Sequence, residues 1–384
     1  METVDVLVVG AGLAGLHTAR LLAERDLRVL VVDRRRSLAA GVRTTGIFVR
    51  RTLDDFDLPG HLLGPGVRDV LLYPPSRRDP VHLTSDRDEY RVADMPAVYD
   101  HARRAAETAG ARVLLGVRYT GITTGIAHLD GAEPVRARFV VGADGARSAV
   151  ARDLGLDVNR RLLVGAEIIH PSGSATTVPA FHCVLDPRVA PGYLGWVIDD
   201  GHHVHAGVAG YPSAMRSGVR HLLSAFTSDA PGLTLPVGPA GPAGPVERRG
   251  GPIPVGGVLR RLACPSGLLV GDAAGAVSPL TAGGLDPCLR LSELAATVTA
   301  DYLRTGDDHV LRAYDGNALR SRFRGRLALR RALASVTSPA AAEAAVALLR
   351  TRPGRSAAAR ILFGDRSFPD VPSPSPSPSP SPVR

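Results

Sequence analysis

Three glycine-rich turns and the carboxylates beside them carry most of the chemistry that can be read from this chain. The first is Gly10-Ala11-Gly12-Leu13-Ala14-Gly15, a G-x-G-x-x-G sequence. Its first glycine permits a tight turn, its second lets a pyrophosphate approach the backbone, and its third packs a helix on a strand. Leu13 and Ala14 open that helix, where free N–H groups favour an anion. Asp33 follows Gly10 by 23 residues, where a carboxylate can accept hydrogen bonds from ribose hydroxyls. Arg34, with Arg35 and Arg36, can reach adenine or phosphate, although a solvated charge run is the simpler account. The second turn is Asp144-Gly145, at the end of an apolar run, the ligand side of an open α/β sheet. Its bland alternative is an ordinary turn with a helix cap at Ser148.

The third turn is Gly271-Asp272-Ala273-Ala274-Gly275, continued by Pro279-Leu280-Thr281-Ala282-Gly283-Gly284-Leu285. An apolar strand delivers an acid, small residues and a glycine pair ahead of a helical pattern from about Asp286. Such a turn brings backbone N–H groups and a helix N-terminus against an electron-rich ring. A flavin pyrimidine ring fits that description. The first turn alone serves NAD or FAD, and this third element chooses FAD.

The elements that must hold these turns are β-strands and helices in alternation. Val4–Val9 reads as a buried parallel strand, Leu13–Ala23 as a helix and Leu27–Val32 as the next strand, a βαβ unit. A helix from about Ala97 to Ala109, a strand at Val113–Leu115 and another at Phe139–Gly142 follow. Between about Val164 and Val258 the pattern shortens and alternates, separated by Gly and Pro, as in an antiparallel sheet. The expected fold is therefore α/β: a discontinuous FAD-binding, Rossmann-like domain with an inserted antiparallel β-sheet substrate domain and C-terminal helices. Residues 1–163 form the first part of the FAD domain, with a piece of the substrate sheet near 67–92. Residues 164–258 form the mainly antiparallel domain, 259–305 the second part of the FAD domain and 306–368 a helical region. The Ser/Pro alternation of 369–384 reads as a polyproline-rich disordered tail.

Composition narrows the function classes. With 384 residues the chain can bury a large core. The net charge of +9 would ordinarily suggest nucleic acid. Every basic side chain other than His is Arg, however, and Lys and Gln are absent. That is a GC-rich compositional bias which spreads charge over the surface, so no nucleic-acid partner is expected. Absent Lys also removes Schiff-base chemistry and a Walker-type lysine. Cys183, Cys264 and Cys288 make no paired framework, which fits a reducing cytoplasm. No apolar run reaches the ~20 residues of a membrane span, so contact with a membrane is at most peripheral.

In their order and spacing, the G-x-G-x-x-G, Asp144-Gly145 and Gly271-Asp272 elements resemble the FAD-dependent oxidoreductases with the fold of para-hydroxybenzoate hydroxylase. The stretch Gly271 to Gly284 is most similar to the geranylgeranyl reductase branch, and the likeness covers roughly residues 1–305. The resemblance implies that Asp33 binds the adenosine ribose and Asp272 the ribityl chain. It implies that Pro279, Gly283, Gly284 and Leu285 lie beside the isoalloxazine ring, and that Arg43-Thr44-Thr45-Gly46 runs along the cofactor with Arg43 near the pyrophosphate. This loop departs from the branch, which often carries a Cys there. Tyr193 and Trp196 resemble a strand lining the substrate cavity, but Ile198-Asp199-Asp200 replaces the Phe-Pro-Lys that usually follows. Two aromatics packing in a sheet is the plain alternative.

Other features invite weaker readings. His202, His203 and His205 lack a completing ligand set, so a polar turn is expected there and no metal site. The Arg320–Arg331 run reads as a docked helix with solvated arginines. The halogenase elements, a W-x-W-x-I-P stretch and a catalytic Lys, are missing. The leading expectation is an FAD-dependent oxidoreductase passing hydride to an apolar, prenyl-like substrate, with NAD(P)H as a transient electron donor because no second G-x-G-x-x-G is present. The runner-up is a monooxygenase of an aromatic or polyketide-like metabolite, and a non-enzymatic prenyl-binding escort protein is a third reading. No catalytic acid or base, and no oligomeric state, can be named from the sequence.

Overall fold

The computed structural model describes residues 1–172, 179–233 and 247–364, with two short strands at 237–238 and 241–242. The expected Ser/Pro tail lies outside the described residues. At the centre of the first sheet is the strand Glu2–Val9, parallel to Val29–Asp33 on one side and to Val135–Gly142 on the other. Val8 stands opposite both Val31 and Val141 in this register. Arg112–Leu115 and Gly267–Leu269 extend the parallel sheet outward, and Ala263–Cys264 adds an antiparallel edge. Val6, Leu7 and Val8 are fully buried, as continuous β-branched and apolar strands covered on both faces must be.

The chain passes from the central strand to Val29–Asp33 on one side and fills the other side only later with Val135–Gly142, which creates a topological switch point at the central strand's carboxyl end. Gly10 sits there. The helix Leu13–Ala23 packs along Leu285–Thr305 and Met95–Thr108; the Ser292 hydroxyl donates to Ala14 O at 3.2 Å across the first of these contacts. The helix expected from about Ala97 begins two residues earlier, because Asp94 caps it by accepting from Ala97 N and Pro96 occupies its first turn. The long helix from Leu285 ends at Gly306, whose left-handed φ of 69° stops it.

The second sheet has seven strands, in the order Glu247–Pro254, Leu162–Pro171, His203–Gly210, Gly195–Asp199, Ala180–Val184, Asp69–Tyr73, Val81–Thr84. All neighbours are antiparallel except Ala180–Val184 with Asp69–Tyr73. Tyr90–Ala93 pairs instead with Ile47–Val49 and Leu63–Val67 in a small third sheet. The helix Val219–Thr227 covers part of the large sheet, with Leu222, Leu223 and Phe226 packed on Val197 and Val208. The C-terminal helices Pro339–Arg350 and Arg352–Leu362 cover Val81 and Leu83 with Ala342, Val346 and Ala358. Among the described residues, no helix is long and apolar enough to cross a membrane.

The first helix is locked to the central strand by the absence of a side chain at Gly15, where a Cβ would stand 2.0 Å from Gly10 O. Gly15→Ala must therefore push helix from strand, at a cost of about 1–3 kcal/mol. A lowered midpoint in denaturant unfolding is expected, and an unchanged midpoint would show that the helix can shift freely.

Candidate functional site

Gly10 adopts φ 109°, and a Cβ on it would meet Ala143 O at 2.3 Å. The first turn therefore touches the backbone of the second. At Gly12 a Cβ would meet nothing within 4 Å. Gly12 also caps the Leu13–Ala23 helix without any side-chain hydrogen bond, leaving N-terminal donors and the positive end of the helix dipole facing open space. Such a place accepts a phosphate group.

Asp33 ends the neighbouring strand and is 9% exposed. Ala11 N donates to its Oδ2 at 2.8 Å. Arg35 donates to Asp33 from its backbone at 2.8 Å and from its guanidinium at 3.0–3.1 Å, and to Ala11 O at 3.0 Å. Burial alone would raise the Asp33 pKa, but the Arg35 and Ala11 hydrogen bonds prevail and lower it. The expected solvated run is thus split: Arg34 and Arg36 are exposed, whereas Arg35 folds inward against the Tyr99 ring.

Asp144 does what an ordinary turn would do and leaves one atom over. Its Oδ2 accepts from Ala149 N and Val150 N at 2.6 and 3.2 Å, and Ser148 caps the same short helix by accepting from Ala151 N. Its Oδ1 is buried with no hydrogen-bond partner. Gly145, at φ 86°, turns the chain after it.

The third turn closes against the first. A Cβ at Gly271, whose φ is 56°, would lie 2.8 Å from the Ala14 side chain. Asn159 Nδ2 donates to Asp272 O at 2.8 Å and Ala146 O at 3.2 Å, tying the third turn to the second. Among the described residues no side-chain hydrogen bond reaches the Asp272 carboxyl. Burial pushes its pKa up to about 6, against the pull of Arg43. A half-buried carboxyl that no side-chain donor reaches is completed by hydroxyl donors. Ala273 is buried beneath it. After Pro279, Ala282 N donates to Ser278 O and Ser278 N to Gly283 O, each at 2.9 Å. That hairpin aims Gly283 and Gly284 at the Asp272 side: Asp272 Oδ1 lies 3.6 Å from where a Gly284 Cβ would be. Gly284 caps the Leu285–Thr305 helix with no side-chain bond, a second uncapped helix N-terminus at the same place. The donor and acceptor set therefore suits FAD: phosphate at Gly12, hydroxyls at Asp272 and an electron-rich ring at Gly284.

The loop expected to run along the cofactor is held by the large sheet. Arg249 donates to Thr44 O at 2.9 Å, Gly46 N donates to the Thr44 hydroxyl at 3.2 Å, and Arg43 lies against Gly251. The Thr45 hydroxyl donates to Glu167 Oε2, which also accepts from Trp196 Nε1 at 3.1 Å. The Trp196 indole fits because Gly207 opposite it has no side chain; a Cβ there would come within 2.3 Å of the ring. The Tyr193 hydroxyl donates to Thr281 O at 2.6 Å. Tyr193 thus reaches the third turn directly, whereas Trp196 reaches the Thr45 loop only through Glu167.

Comparison with known proteins decides the family. The profile described as FAD dependent oxidoreductase matches residues 5–57, and that described as FAD binding domain matches 99–171. Digeranylgeranylglycerophospholipid reductase 1 from Methanothermobacter thermautotrophicus is 31% identical, over 79% of this chain and 79% of its own. This chain belongs to the digeranylgeranylglycerophospholipid reductase family. It is an FAD-dependent oxidoreductase. Reductase 1 from Methanopyrus kandleri is 29% identical over 79% of this chain and 82% of its own. In fold, a geranylgeranyl bacteriochlorophyll reductase-like protein from Thermoplasma acidophilum matches with TM-score 0.80 at 23% identity, over 97% of this chain and 98% of that one. A probable FAD-dependent monooxygenase from Pseudomonas aeruginosa matches with TM-score 0.62 at 18% identity, over 93% and 99%.

Several residues of this family member escape a reading by motif. His205 is not part of a polar turn: it is 3% exposed, with Nε2 2.9 Å from Asp200 Oδ2 and Nδ1 3.5 Å from Glu167 Oε1. His202 and His203 do form the turn, their backbones donating to Asp200. Among the described residues no His, Cys, Asp or Glu cluster is arranged for a metal. The arginine run is likewise divided, since Arg326 and Arg330, one helical turn apart, both point inward. Arg326 donates to the Ser278 hydroxyl at 2.8 Å. Arg330 is 3% exposed, and its guanidinium lies 5.4 Å from the Tyr193 ring centre and 5.5 Å from that of Tyr211.

Burial by itself would lower the His205 pKa, but its hydrogen bonds to the Asp200 and Glu167 carboxylates raise it to about 9. The imidazolium thus contributes its full stability below the unfolded value of about 6.5 and loses it as pH climbs through about 9. In urea unfolding, the stability gap between wild type and His205→Gln is expected to be widest near pH ~6 and to narrow steadily toward pH ~9.5. A gap independent of pH would contradict the buried ion pair.

Proposed function

We propose that this chain holds FAD across the three turns and uses it to saturate carbon–carbon double bonds in the isoprenoid chains of a lipid. The observation that carries the proposal is the half-buried Asp272 carboxyl, which no side-chain hydrogen bond reaches, beside two uncapped helix N-termini. The substrate class follows from the names of the relatives, which are reductases of a geranylgeranyl-bearing glycerophospholipid. In this reading residues 1–163 and 259–305 make one discontinuous FAD domain and 164–258 the substrate domain.

Each residue then has a task. The N–H groups that follow Gly12, at Leu13 and Ala14, meet the pyrophosphate, with Gly10 and Gly15 setting the turn, while Asp33 and Arg34 serve the adenosine end. Arg43, Thr45 and Gly46 flank the cofactor, and Asp144 and Gly145 close the far side. Asp272 and Ala273 receive the ribityl hydroxyls, and Pro279, Gly283, Gly284 and Leu285 lie along the ring edge. Reduced FAD supplies hydride when bound. Gly283 and Gly284, with the helix behind them, stabilise negative charge at that edge. Tyr193 and Trp196 wall the substrate cavity and exclude water. NAD(P)H is the proposed donor, taken transiently.

Two measurements test this. Asp272→Ala should lose most of its FAD on gel filtration while unfolding cooperatively, since one buried charged hydrogen-bonding group removed is worth about 1.5–3 kcal/mol; full flavin occupancy would contradict the assignment. Anaerobically reduced wild type mixed with a digeranylgeranyl glycerophospholipid in micelles should return to the oxidised flavin spectrum and leave lipid heavier by a pair of hydrogens per double bond. Reoxidation only by oxygen, with oxygen inserted into the lipid, would instead make the chain a monooxygenase.

A further inference from the structure

The Glu167–His205–Asp200 cluster has a use beyond packing. Its hydrogen bonds form a series from the turn joining two inner strands of the large sheet to the Arg43–Gly46 loop. Asp200, partly open to solvent beside the half-exposed His203, meets His205 Nε2 at 2.9 Å. His205 Nδ1 faces Glu167 Oε1 at 3.5 Å, and Glu167 Oε2 accepts from Thr45 and Trp196. Glu167 and His205 lie on adjacent strands, with Ile169 opposite His205 in the ladder. A buried carboxylate and a buried imidazolium are expensive to keep, and a hydrophobic pair would fill these positions as well.

We propose that Asp200, His205, Glu167 and Thr45 form a proton relay that delivers the proton required at carbon when a double bond is reduced. The inference rests on the reductase reading above. Reduction breaks the π bond of the alkene and makes two C–H bonds. One carbon takes hydride, with its electron pair, from reduced FAD, and the other takes a proton from the Thr45 hydroxyl once that hydroxyl has turned from the Glu167 carboxylate, to which it donates at rest, toward the alkene. Thr45 regains its proton from Glu167, Glu167 from His205 Nδ1, and His205 at Nε2 from solvent through Asp200. Thr45 is the catalytic donor, and the other three pass the proton along. The charged groups facing His205 are Glu167 on the adjacent strand, Arg249 on the strand beyond Glu167, and Asp200 and His203 in the turn. The raised pKa of His205, about 9, keeps it protonated at neutral pH.

The test uses flavin-loaded, anaerobically reduced wild type, His205→Gln and Asp200→Asn in single turnover with a digeranylgeranyl glycerophospholipid. Reoxidation by ferricyanide, which needs no proton at carbon, is the control. Wild type should lose alkene reduction above pH ~9. His205→Gln should be slower by about 10²-fold at neutral pH, without that pH limb, and with ferricyanide oxidation unchanged. Imidazole nitrogen NMR, independent of turnover, should show His205 titrating near pH ~9 in wild type and nearer the ordinary ~6.5 in Glu167→Gln. An His205→Gln enzyme with the wild-type rate and pH profile overturns the relay, as does an equal loss with both acceptors, which marks a purely structural role. If wild type reduces no lipid, the reductase reading itself falls and the relay with it.

Discussion

Everything at this site depends on one steric constraint: three turns from distant parts of the chain must meet at the carboxyl ends of adjacent parallel strands with almost no side chain between them. Gly10 lies where a Cβ would strike the Ala143 carbonyl, and Gly271 where one would strike Ala14. Asn159 then ties the backbones of Ala146 and Asp272 together. Because the turns interlock, the uncapped start of the first helix and the Asp272 carboxyl are fixed relative to one another before any ligand arrives. Such preorganisation removes ordering cost from binding.

The large sheet adds a second constraint, electrostatic rather than steric. Glu167 is buried, and a buried carboxylate persists only when partnered. Its partners come from three places: Thr45 from the Arg43–Gly46 loop, His205 from the neighbouring strand, and Trp196 from the strand beyond it, reaching across Gly207. One acid therefore couples the Arg43–Gly46 loop to the Trp196 strand of the large sheet. Hydrogen bonds from His205 outweigh desolvation and keep its pKa low, so the coupling is strongest where the imidazole is charged.

What the sequence made legible were features with local signatures. The Gly10–Gly15 turn, the strand end at Asp33 and the turn at Gly271–Asp272 are written in consecutive residues, and the structure brings the three together. The βαβ start and the antiparallel run were readable from their periodicities of side-chain burial. Asn159 belongs to no motif, and its partners lie 13 and 113 residues away. Glu167 carries no motif; its importance arises from the strand register that places it beside Trp196 and from a loop 122 residues distant. His205 and Arg330 were read as polar surface because composition cannot tell which of several like residues turns inward. Arg35 had a local clue, its spacing of two from Asp33, which permits the backbone to close on the carboxylate.

The central claim is that the three converging turns make a preformed FAD site. The most direct measurement is a fluorescence titration of the flavin-free chain with FAD, with NAD as a control. The account predicts saturable binding of one FAD per chain with quenched flavin emission, and no comparable binding of NAD. A chain that folds cooperatively yet takes up no FAD at any concentration would contradict it.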